Sequence, residues 1–162
     1  MVNAFSEDIA VALHRGIDCC RRDEWDQGLL YLGQVTRAGE RPAGLPGLFY
    51  SYLGYGIARC QRRIEEGRKL CEHAIKVEFY QPENYLNLAR TCLLAHDRSA
   101  AVRAVRRGLK VDPGSLELRA LYRDLGIRGA PVIPFLSRSN LLNRILGRVR
   151  HVFRGTVPAE KK

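Results

Sequence analysis

The sequence predicts an all-α protein: a short solenoid of antiparallel helix pairs, closed by a capping helix and followed by a separate amphipathic helix. Three observations predict it. Small residues pair at spacings of twelve or thirteen, and the windows that hold these pairs recur at intervals of 34 and 39 residues. The Gly/Pro-rich stretch 38–47 falls between two windows, where only a loop can form. At 162 residues, 46% of them hydrophobic and 27% charged, the chain has the composition of an ordinary folded protein and the length of one folding unit. That excludes collagen-like and disordered classes. Its apolar runs fall far short of the roughly 20 residues a membrane-spanning helix needs.

In the first window Gly16 is followed by Gly28, Leu32 and Val35, with Trp25 just ahead of Gly28. The second runs Gly54, Gly67, Cys71, Ala74, one residue longer between its small positions. In the third, Tyr85, Leu88, Ala89 and Cys92 precede Ala101, Val105, Gly108 and Pro113. Where two helices of a pair cross at about 8–10 Å only Gly or Ala fits, and the apolar residues three and four positions on lock the crossing. Gly16 with Gly28, Gly54 with Gly67 and Ala89 with Ala101 are the expected contacts. Trp25 and the tyrosines then fill core. After the Pro113-Gly114 break, residues 115–125 form the capping helix, with Leu118, Leu121, Tyr122 and Leu125 in one stripe and Gly126 as its C-cap.

Residues 127–140 contain Pro131 and Pro134 between apolar residues and read as an extended, packed segment. Asn140 caps a last helix, 141–153. Its Leu141, Leu142, Ile145, Leu146, Val149, Val152 and Phe153 share a face, and Arg144, Arg148 and Arg150 lie elsewhere. This helix folds back as an extra cap, docks onto a protein or a second copy, or lies on an anionic membrane surface. The expected organisation is therefore a repeat array with its cap over 1–126 and a Pro-containing segment, basic helix and short tail over 127–162.

The windows resemble the tetratricopeptide repeat, a 34-residue helix–turn–helix unit, over about residues 6–126. The third copy carries the likeness best. Arg15 departs from the Leu usual in the first, and the second has its extra residue. The resemblance implies a superhelix whose inner face, built by the first helix of each pair, holds a segment of a partner. It implies as inward residues Leu13, Ile17 and Arg21, then Tyr55 and Arg59, then Leu86, Arg90 and Leu93. These differ from the Lys/Asn-rich groove by which some members clamp a C-terminal carboxylate, so a chaperone-tail receptor is disfavoured. A protein or peptide with hydrophobic anchors and some negative charge suits the set better. The expected role is a non-catalytic scaffold or adaptor in the cytoplasm, with self-association through the apolar tail also open. Action at a membrane or other acidic surface through the basic last helix is the alternative.

Charge adds a second feature. Residues 1–100 hold 13 Lys/Arg against 13 Asp/Glu and residues 101–162 hold 14 against 4, so the formal +10 belongs to the last 62 positions. Arg103, Arg106, Arg107 and Lys110 share one helix face, either as a solvated outer surface or as a patch for an acidic partner, lipid headgroups or phosphates. The sequence offers no readout motif for nucleic acid. Five cysteines without paired spacing read as reduced thiols, and residues 1–15 lack the features of a secretory signal. His14, His73, His96 and His151 stand singly, and no nucleophile elbow or phosphate-cradling loop is present, so no enzymatic activity, metal or cofactor is expected.

Overall fold

A computed structural model describes residues 2–37 and 44–126, with side chains from Glu7 onward. These lie within a unit spanning Met1–Gly126. The expected extended segment 127–140 and the basic helix 141–153, with Arg144, Arg148 and Arg150, lie outside the described residues. Seven helices are described: α1 (Val2–Arg21), α2 (Trp25–Arg37), α3 (Gly47–Gln61), α4 (Ile64–Val77), α5 (Pro82–Leu94), α6 (Arg98–Val111) and α7 (Leu116–Asp124). They contain no strand, and none is long and apolar enough to cross a membrane.

Consecutive helices pair as α1·α2, α3·α4 and α5·α6, and the pairs stack. The first helices form one layer, α3 touching both α1 and α5. In the second layer α4 and α6 pack against α5 and not against each other. First helices packed closely and second helices held apart curve the stack toward the α1/α3/α5 side.

The crossings form at the small residues. A Cβ on Gly16 would lie 2.8 Å from Leu32 Cδ2 and 3.2 Å from the Gly28 carbonyl oxygen; one on Gly54 would lie 2.6 Å from the Gly67 oxygen. A Cβ on Gly67 would collide with the Gly54 oxygen. The third crossing tolerates methyl groups, Ala89 and Ala101 both being fully buried. Leu32, Val35, Cys71, Ala74 and Val105 sit beside these crossings, buried as the repeat pattern requires.

Each pair turns through one residue in the left-handed region: Asp23 (φ 65°), Arg62 (φ 60°) and His96 (φ 58°). In the first and third pairs the turn is a Schellman motif, with Glu24 N–H donating to Cys19 O and Asp97 N–H to Cys92 O, both at 2.9 Å. Asp97 also caps α6, accepting from Ala100 N–H at 2.8 Å. The turn follows the crossing residue by seven positions in these pairs and by eight in the second, Gly54 to Arg62. The extra residue of the second repeat is therefore taken up in the last turn of α3.

Between the second and third pairs runs a buried polar seam. Asn87 Nδ2 donates to Ser51 Oγ at 3.0 Å, Thr91 Oγ1 donates to Asn87 O at 2.8 Å, and Cys71 lies 3.6 Å from Thr91 Oγ1. Directional bonds here fix the register of α5 on α3, which apolar contact alone leaves loose. Ser115 caps α7, Leu118 and Leu125 are buried on the array, and Gly126 follows at φ 53°.

Candidate functional site: the inner face of the first helices

Three helices supply the inner face. Each presents one side of its last two turns or its first turn, so residues far apart in sequence meet there. Arg21, at the end of α1, places its guanidinium across α3 onto Glu83 in the first turn of α5, with N···O distances of 2.9 and 3.2 Å. The Tyr52 hydroxyl of α3 donates to the same carboxylate. The backbones of α1 and α5 are not in contact, so this cluster bridges repeats one and three by side chains alone. The hydrogen bond to Glu83 pushes the Arg21 guanidinium further up, and burial beside the carboxylate raises the Tyr52 phenol well above its usual range.

A second cluster centres on Trp25. Its ring meets Tyr55 edge-on at 4.9 Å between centroids; Arg59 lies 5.4 Å from the Trp25 ring and Arg90 5.8 Å from the Tyr55 ring. Cations over aromatic faces are attracted by the ring quadrupole. Asp23, in the turn after α1, accepts from the Trp25 indole and, through both oxygens, from the Arg59 guanidinium at 2.8 and 3.2 Å. Those two donors hold its carboxyl below the ordinary range. Pairs of this exposure contribute little to stability, but they fix where the side chains stand.

The expected inward residues divide by accessibility. Ile17, Tyr55 and Leu86 are 5%, 9% and 7% exposed and build the floor. Leu13, Arg90 and Leu93 are half-buried, and Arg21 and Arg59 are exposed. Sequence reasoning missed Tyr52, Glu83 and Asp23. Tyr52 and Glu83 each stand one helical turn before an expected residue, Tyr55 and Leu86, and that spacing was the available signal. The other expected basic residues, Arg103, Arg106, Arg107 and Lys110, lie on α6 in the opposite layer. Among the described residues no group of three His, Cys, Asp or Glu is placed to hold a metal ion.

No family model and no curated protein matches the chain by sequence. Solved structures do. The tetratricopeptide-repeat (TPR) domain of Arabidopsis OM64 superposes with a TM-score of 0.58 at 13% identity, covering 74% of this chain and 94% of that one. The first TPR domain of human RPAP3 superposes with the same score and identity over 73% of this chain and 89% of its own. The first TPR of Spaghetti (RPAP3), solved bound to the HSP90 peptide SRMEEVD, matches at 0.58 and 13% over 75% and 94%. The chain has the tetratricopeptide-repeat fold. In this TPR array the inner face is the side of α1, α3 and α5, and its arginines are already engaged by acids and rings of the same chain.

Proposed function

We propose that the protein is a non-catalytic interaction module that holds a partner segment against the inner face of its TPR array. The observation that carries this reading is the face itself, a floor of buried Ile17, Tyr55 and Leu86, with Trp25 at the start of α2 packed edge-on against Tyr55, and half-buried Leu13, Arg90 and Leu93 and the exposed Arg21 and Arg59 around it. Aromatic residues and arginine are the usual anchors of protein interfaces, because they offer large contact area with few rotatable bonds. Similarity to TPR structures that bind HSP90 and HSP70 peptides supports a peptide as the class of partner.

The charge arrangement narrows the class. Arg21 is paired with Glu83 and Arg59 with Asp23, so a strongly acidic tail meets neutralised cations and two carboxylates. A segment with apolar side chains for Leu13 and Leu93 and a single carboxylate for Arg90 fits better. Free thiols at five positions suit a reducing compartment such as the cytoplasm.

Tyr55→Ala would damage the floor as well as the surface, so the test rests on accessible positions. Arg90→Ala and Leu93→Glu are expected to lower, at least about tenfold, the recovery of partners that the wild-type chain captures from its native host. Gln34→Ala, on exposed α2 surface, leaves recovery unchanged. Equal recovery by all three variants would overturn the inner-face reading.

A further inference from the structure

The opposite layer carries a site of different chemistry. Because α4 and α6 pack on α5 and not on each other, a cleft of about 310 Å³ opens between them. Ile75 of α4, Leu88 and Cys92 of α5 and Ala100 and Ala104 of α6 form its floor, and Arg68, Lys76, Arg103 and Arg107 stand around it with Glu72 as the one lining carboxylate. The two alanines leave the space that larger side chains would fill.

Charge on the two faces of the array is managed differently. Arg68 is paired with Glu72 at 3.2 Å and lies 3.6 Å from Asp97. Among the described residues Lys76, Arg103 and Arg107 have no ion-pair partner; Arg103 donates to Ser99 Oγ at 2.7 Å, and Arg107 lies 5.4 Å from the Tyr85 ring. Three cations are thus held around an apolar floor by helix positions and neutral contacts. Residues 127–162 hold eight Lys/Arg against one Glu, so the sequence beyond the array offers little negative charge for these cations.

We propose that this cleft binds a short acidic protein segment that drops one or two aliphatic side chains onto the floor and lays carboxylates on Lys76, Arg103 and Arg107. The cleft is small, so a segment seats only a few side chains in it. The apolar lining favours a protein segment, which brings aliphatic side chains to it, over a lipid headgroup or a nucleic-acid phosphate, which brings none. The site is independent of the inner face and stands if that face proves unused.

The test is fluorescence anisotropy with a labelled twelve-residue Glu-rich peptide carrying two leucines four positions apart, beside an all-Glu peptide of equal length. Lys76→Gln with Arg103→Gln removes two cations at the rim. Arg106→Gln with Lys110→Gln removes two from the same layer outside it, and each pair includes one lysine from the last turn of its helix. Helicity by circular dichroism checks that both variants fold. The leucine-bearing peptide is expected to bind more tightly than the all-Glu peptide and to lose about tenfold in affinity with the rim variant. The outer pair should cost less than about threefold, and Arg90→Ala nothing. Equal losses from the two double variants would reduce the effect to general attraction and overturn the proposal. So would equal binding of the two peptides, or anionic phosphatidylserine vesicles binding with the same rim dependence while the peptide does not bind.

Discussion

The inner face and the outer cleft are built from the same helix hairpins and both are rich in arginine, yet they differ in where the opposing charge comes from. On the inner face it is internal: Glu83 and Asp23 hold Arg21 and Arg59 in place. Around the cleft the described residues supply neutral partners for Arg103 and Arg107, leaving negative charge to be supplied from outside. The difference teaches that a repeat scaffold does not decide the chemistry of its surfaces. One acidic residue per cation converts an attracting surface into a pre-organised, nearly neutral one.

Chemical access separates interior from surface by the largest factor. Burial pushes the Cys20 and Cys71 thiols up to about 12, leaving them protonated at pH 8, where only a thiolate attacks. Iodoacetamide at that pH is expected to label exposed Cys60 at least about a hundredfold faster than Cys20 or Cys71, read by peptide mass mapping. Comparable rates would mean that the layers open readily. Both faces also depend on the spacing of the two layers. Gly67→Ala drives a methyl group into the Gly54 carbonyl and is expected to cost about 2–3 kcal/mol in urea unfolding. Ala101→Gly in the third pair should cost no more than about 1 kcal/mol.

Changing one inner acid makes the comparison sharper. Glu83→Gln releases Arg21, so an acidic heptapeptide without leucines should bind this variant several-fold better than wild type by anisotropy. The stability change stays within about 1 kcal/mol, because both partners are partly exposed. The smallest effect lies at the turn of the second pair. Arg62→Gly relieves a left-handed arginine and is expected to add about 0.5 kcal/mol to thermal stability without moving either binding surface.

The helix pairs were legible in sequence because the close crossings restrict Gly16, Gly28, Gly54 and Gly67 to residues without side chains, and such restrictions repeat visibly. The extra residue of the second repeat was visible as a spacing, but its absorption into α3 follows from the left-handed turn at Arg62, which arginine does not announce. The inner face was legible by position and not by partner. Arg21 and Glu83 are 62 residues apart, and no periodicity within either helix brings them together. For the same reason the stripe of arginines on α6 was readable, while its facing stripe on α4, Arg68 and Lys76, was not: helical spacing defines a face but not what stands opposite it.

The central claim, that partners enter along the first helices, is tested most directly by site-specific photo-crosslinking in the native host. A benzophenone side chain at Leu93, half-buried on α5, is expected to capture a partner that the same group at exposed Gln34 on α2 does not. Capture from Gln34 and none from Leu93 would contradict the account.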